Sequence, residues 1–140
     1  MMRQLKPELQ AAISEYPAAI QQQVLLLRAE ILAVAETTEG VGELHETLKW
    51  GELAYLTEQT KSGTTLRIAW QAKQPGYLGL YVNCKTKLVE VYKTLFPNLF
   101  RYQKQRAILL PINQTWPLAE LRICIAIALR YHLDKVILND

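Results

Sequence analysis

Between residues 44 and 83 apolar side chains recur at every second position, in segments joined by connections too short to hold a helix, and this removes most of the folds open to such a chain. Leu44, Glu46, Leu48 and Trp50 share one face of a first strand, with His45, Thr47 and Lys49 on the other. Gly51 permits a bulge or bend. Residues 53–57 form a second short strand, and the Lys61-Ser62-Gly63 turn leads to a third at 64–71, where Leu66, Ile68 and Trp70 alternate with Thr65, Arg67 and Ala69. Lys73-Gln74-Pro75-Gly76 is a strong turn signal, because Pro presets one dihedral and Gly accepts a left-handed one, and a fourth strand follows over 77–83. Parallel neighbours need a crossover of roughly a dozen residues or more, usually a helix, so these strands pair antiparallel.

Helical spacing flanks this meander. Ile20, Val24, Leu27, Ile31 and Val34 recur every third or fourth position in a helix that starts near Ser14 and Pro17, with Ser14 as its cap, and ends near Glu36. Asn83 and Thr86 offer caps to an inserted helix with the stripe Leu88, Val91, Tyr92 and Leu95, ended by Pro97. A last hairpin pairs 100–102 with 107–110. Thr115 or Trp116 then caps a C-terminal helix with Pro117 in its first turn, running to about residue 133 with Leu121, Ile125, Ala128 and His132 on one stripe. Ile123, Cys124, Ile127 and Leu129 make its middle apolar almost all round, so it is either sandwiched in the core or shared with a second copy, a homodimer through this helix. The fold class expected is α+β: a two-layer sandwich in which an antiparallel sheet of about five to six strands packs with N- and C-terminal helices and one inserted helix. No linker or repeat divides the chain, so residues 1–140 form a single domain with its core at about 14–133.

Composition narrows the function classes. Half the residues are hydrophobic, enough for an ordinary core without disulfides or metals. The formal charge is only +3, far from the dense basic stripe that tracks phosphates, so nucleic acid is not an expected partner. The N-terminal charges are followed by no apolar stretch, against a secretory signal. The longest apolar run, 123–129, is much shorter than the roughly 20 residues that cross a bilayer. No membrane contact is expected, and the cytoplasm is the expected location. Cys84 and Cys124 lie outside any Cys-x-x-Cys spacing, and neither histidine stands at metal-ligand spacing from the other or from a cysteine. No P-loop, nucleophile elbow or dinucleotide fingerprint occurs, and no cofactor or metal is expected.

Several residues nonetheless invite chemistry. Strand periodicity places Glu46 between Leu44 and Leu48 on a face that looks buried, where an unpaired carboxylate is costly. His132 on the inner stripe of the last helix is the expected partner, and the pair would serve acid–base work if a pocket reached it, or merely hold helix to sheet. Cys84, before a helix and next to Lys85 and near Lys87, is a candidate nucleophile or redox thiol, against the ordinary reading of an inert free cysteine. The same helix start near Thr86 would hold a phosphate or carboxylate, although capping alone explains Asn83 and Thr86. His45, Thr47, Lys49, Arg67, Tyr77, Tyr81 and Asn83 share the sheet face opposite the core, either a solvated face or a docking surface. Lys49, Trp50, Arg67, Tyr81 and Asn83 are the candidate ligand-binding residues, although tryptophans such as Trp50 and Trp70 usually fill cores.

The run Glu43-Leu44-His45-Glu46-Thr47-Leu48-Lys49-Trp50-Gly51-Glu52-Leu53-Ala54-Tyr55, preceded by Tyr16-Pro17, resembles the YdhG-like family, bacterial domains long catalogued as of unknown function. Gly79-Leu80-Tyr81-Val82-Asn83-Cys84-Lys85-Thr86, Arg106-Ala107-Ile108 and Ala128-Leu129-Arg130-Tyr131-His132 are similar to one branch of it. The resemblance spans roughly 14–132 and implies an α+β domain. One member of the wider family is described as a frataxin-like iron chaperone, which would imply an acidic helix surface. Here Glu15, Glu30 and Glu36 are interspersed with glutamines and Arg28, a departure from that surface, since hard cations need converging oxygens. The function expected is a non-enzymatic binding or adaptor domain for a protein or small molecule. The alternatives are a small-molecule-binding protein or enzyme with a pocket near Glu46 and His132, and iron handling.

Overall fold

Leu9 and Ile13, one helical turn apart, bury a common face of helix α1 (Pro7–Ser14), which starts with Pro at its first position, where the missing amide costs nothing. In the computed structural model, which describes residues 3–138, α1 precedes the long amphipathic helix α2 (Ala18–Thr37). Ser14 therefore closes α1 instead of capping α2, its hydroxyl donating to the Ala11 carbonyl. Pro17 itself stands at the N-cap of α2. By length and composition α2 is apolar enough to cross a membrane, with a mean hydropathy of 1.3; in the fold half of that apolar stretch is buried inside the protein, where α2 packs on α4 and on the sheet.

Six strands follow in one antiparallel sheet: β1 (His45–Lys49), β2 (Glu52–Leu56), β3 (Leu66–Trp70), β4 (Tyr77–Tyr81), β5 (Arg101–Gln103) and β6 (Ala107–Pro111), in the order β1-β2-β3-β4-β6-β5. Helix α3 (Leu88–Leu95) lies between β4 and β5, and α4 (Leu118–Leu129) and α5 (Tyr131–Leu138) complete the described chain. The result is the α+β two-layer sandwich that the strand spacing requires.

Among the described residues, helices cover one sheet face only. Leu53, Tyr55, Leu66, Ile68, Leu78, Leu80, Ile108 and Leu110 point toward Val24, Leu27, Ile31, Leu121 and Ile125 in the main core. The opposite face has a second small cluster of strand residues alone, Ala69, Tyr81, Ala107 and Leu109 with Tyr77 against them. It stays dry because the Tyr81 ring lies flat across Gly79, where any Cβ would collide with the ring.

Three local expectations change. The inserted helix begins at Leu88, because Asn83 Oδ1 accepts from the Lys85 amide in a turn of its own, 2.9 Å, and the cap residue Lys87 offers no side-chain bond. The C-terminal helix breaks at Arg130 into α4 and α5. Trp50 is 88% exposed, not in the core, because it leaves the strand register at a hairpin turn. Within 123–129, Cys124, Ile125, Ala128 and Leu129 are buried in the chain's own core, and Ile123 is exposed.

Candidate functional site

Glu46 is buried as its strand position requires, but its partner is not His132. Its carboxylate accepts from Arg28 Nε at 2.6 Å, from Arg28 Nη2 at 3.0 Å and from the Tyr55 hydroxyl at 2.7 Å. Register explains the last bond, since Glu46 stands directly across from Tyr55 in the β1–β2 pair. The Glu46 side chain is 0% exposed, so no cleft reaches it. Hydrogen bonding to Glu46 raises the Arg28 guanidinium above its usual range, and burial, then Glu46, raises the Tyr55 phenol. Arg28 thus stays charged and Tyr55 neutral, and both donate to the same carboxylate. His132 lies exposed on α5, because the break at Arg130 turns it off the inner stripe; its ring packs edge-on against Tyr131 at 5.3 Å. Glu46 and His132 therefore form no acid–base pair, and no pocket joins them.

The helix-free sheet face carries a different constellation. Lys49 and Glu52 face each other across the last rung of β1–β2, and Trp50 and Gly51 form the connection between them. Arg67 on β3 is level with Ala54 on β2 and Tyr81 on β4. Its guanidinium sits 5.6 Å from the Trp50 ring centroid and 5.5 Å from that of Tyr81, and it pairs with the Glu52 carboxylate. Burial raises the Tyr81 phenol, Glu52 adds to this, and Arg106 and Arg67 oppose it; the hydroxyl donates to Gln103 Oε1 at 3.2 Å. Around these groups opens a cleft of about 520 Å³ lined by Lys49, Trp50, Glu52, Thr65, Arg67, Gln71, Tyr81, Val82, Asn83, Cys84 and Arg106.

The structure therefore gathers Lys49, Trp50, Arg67, Tyr81, Asn83 and Cys84 at one site and leaves Glu46 and His132 out of it. Cys84 is exposed on the cleft rim, but α3 starts four residues later, so the thiol does not sit at a helix N-terminus as expected. Thr86 lies two residues before α3, and its hydroxyl accepts from the Leu88 amide at 3.4 Å, so the capping reading accounts for it without a bound anion. Glu52 and Arg106 were not foreseen. Arg106 arrives only because β6 pairs with β4 across the β4–β5 excursion, a long-range contact that no local spacing announces. Arg28 did have a signal, since positions 24, 28 and 31 share one helix face.

Size does not single out this cleft, since others of about 580 and 550 Å³ open beside Leu32 and beside Trp116. Charge does. The first is lined by Arg3 against Glu36 and Glu43, and the second has Arg101 as its lone charge, stacked on Tyr77 at 5.2 Å. The sheet-face cleft has Lys49, Arg67 and Arg106 against Glu52. Among the described residues no three His, Cys, Asp or Glu side chains converge as metal ligands.

Fold and cleft together define a class: an open-faced α+β sandwich with a basic, aromatic-walled depression on its uncovered sheet. No protein-family model, curated protein or solved structure matches the chain.

Proposed function

We propose that this chain is a non-enzymatic binding domain that holds a small anionic molecule in the cleft of its uncovered sheet face. The observation that carries the reading is the uncompensated positive charge there. Arg67 already neutralises Glu52, while Lys49 and Arg106 have no carboxylate within ion-pair distance among the described residues. Cations lining one partly apolar cleft suit a phosphate or carboxylate, because hydrogen bonds to charged groups are shorter and stronger than neutral ones. Binding without turnover is favoured because the acid–base and nucleophile candidates Glu46, His132 and Cys84 occupy three separate places. Kinship with the YdhG-like family belongs to the same proposal. It rests on the run from Glu43 to Tyr55, which forms β1, the Trp50-Gly51 turn and β2, and so builds one wall of the cleft.

Calorimetric titration with inorganic phosphate, small carboxylates and nucleoside monophosphates tests the reading, with NMR shift mapping to locate the effect. Shifts should centre on Lys49, Arg67, Asn83 and Arg106, and the double variant Lys49→Gln/Arg106→Gln should weaken binding at least about tenfold, since each hydrogen bond to a charged group contributes about 1.5–3 kcal/mol. Shifts confined to another surface, or an affinity indifferent to both substitutions, would sink it.

A further inference from the structure

We infer that the anion taken by this cleft carries a planar ring, which stacks on the Trp50 indole while its phosphate or carboxylate meets Lys49, Arg67 and Arg106. The inference rests on the binding reading above and adds the ligand's chemical class.

Trp50 is placed where the backbone disfavours a tryptophan. It occupies the first position of the two-residue turn between β1 and β2, with φ 52° followed by φ 77° at Gly51. Positive φ at both positions is the hairpin geometry that Asn-Gly or Gly-Gly adopts readily and that a bulky side chain adopts under strain. The indole is also 88% exposed, so burial does not offset that strain. The two other tryptophans behave differently: Trp116 is buried and its Nε1–H donates to the Pro111 carbonyl at 2.8 Å, and Trp70 packs edge-on against Tyr16 with its Nε1–H on the Pro75 carbonyl at 3.1 Å. Lys61, Lys104 and Asn113 also have left-handed φ, of 57°, 48° and 63°, but Trp50 is the bulky aromatic among the four and the one that lines this cleft.

Its one described aromatic contact says what the ring is set up to do. The Arg67 guanidinium stands about equally far from the Trp50 and Tyr81 rings, and Glu52 holds it there. A cation fixed between two rings orients both the charge and the indole face beside it. Tyr81 is itself occupied, flat on Gly79 with its hydroxyl on Gln103, and only 6% exposed. Trp50 is thus the cleft's open stacking surface. A ring laid on it brings an attached anionic group over Arg67, with Lys49 on the adjacent strand end and Arg106 across the cleft.

The test pairs ring-bearing with ring-free anions of the same head group: adenosine 5′-monophosphate against ribose 5-phosphate, and 4-hydroxybenzoate against acetate, with adenosine as the uncharged control. Trp50 emission, with affinity by calorimetry, supplies the readout. In at least one pair the ring-bearing member should bind about tenfold tighter or more, as stacking of one base on an aromatic side chain contributes. The pair showing the preference identifies the head group. Trp50→Ala should abolish the preference and Trp50→Phe should retain much of it. If ring-free anions bind as tightly as their partners, or the preference survives Trp50→Ala, the ring inference is overturned and anion binding stands. If no anion binds, or adenosine binds as well as its monophosphate, the anion reading falls too.

Discussion

Arg28 donates two hydrogen bonds to Glu46 where their side chains are 5% and 0% exposed, and each partner makes a further bond to its surroundings. Tyr55 donates to the same carboxylate, and Arg28 Nη2 also donates to the Arg3 carbonyl at 3.0 Å, tying the N-terminal segment to α2. A buried pair of this kind is costly to halve, because the survivor is left charged and unpaired. Arg28→Met should therefore destabilise the fold by about 3–5 kcal/mol, while the double change Arg28→Met/Glu46→Leu should recover most of the loss. Urea unfolding checks both, and equal stability of the single variant and the parent would refute the account. The partly exposed Arg122–Glu30 pair, with Arg122 52% exposed, should matter far less. Periodicity in the first strand sufficed to direct the Glu46 carboxylate inward. It did not name the partner, because a lone arginine on an amphipathic helix reads as solvated, whereas His132 fell on an apolar stripe that ends before reaching it.

The stripe ends because the β2–β3 loop is wedged against the junction of α4 and α5. The Thr64 amide donates to the Ala128 carbonyl at 3.0 Å, the Ser62 hydroxyl to the Leu129 carbonyl at 2.7 Å, and the His132 amide to the Ser62 carbonyl at 2.8 Å. The first two satisfy carbonyls that the end of α4 otherwise leaves open, and the third an amide at the start of α5. The approach is so close that a Cβ on Gly63 would overlap the Leu129 and Ala128 carbonyl groups. Gly63→Ala should cost about 1–3 kcal/mol, as overpacking against backbone does. Gly76→Ala, where the added carbon meets nothing within 4 Å and φ is not left-handed, should be neutral or slightly stabilising. Thermal melts of the two variants separate a packing effect from a general dislike of alanine in turns. Nothing near Arg130 signals this break, since neither Gly nor Pro stands there and the cause comes from residues 62–64. Helix α1 was legible in principle, from Pro7 and the Leu9–Ile13 spacing, but so short an element carries little periodicity. The first hairpin is hard to tell from a bulge or bend in sequence because Trp-Gly lacks the usual first turn residue.

At the scale of the molecule, one sheet face bears every described strand-to-helix core contact and the other bears the cleft, and both faces draw on buried tyrosines. Strand alternation alone separated these faces, so Lys49, Arg67, Tyr81 and Asn83 could be grouped from sequence, whereas Arg106 required the β4–β6 pairing. Placing phenols and a thiol inside makes the whole structure sensitive to base. Burial raises Tyr92, whose hydroxyl bonds the Cys124 carbonyl; it raises Tyr102 to about 12 and the Cys124 thiol to about 12, and Tyr55 is raised as well. Each group keeps its proton in the fold at a pH where the unfolded chain has released it. Their stabilisation is therefore complete below the unfolded values, 9.0 for the thiol and 10.0 for the phenols, and is lost as pH climbs through the folded ones. The urea midpoint should hold level from neutrality to about pH 9 and then fall steadily toward pH 12. Phenolate absorbance from the buried tyrosines should rise together with unfolding and not ahead of it. A midpoint unchanged at pH 11, or phenolate appearing in a chain that keeps its native circular dichroism, would mean that water reaches Tyr55 and Tyr92 and that the sheet and helices do not close over them as the packing requires.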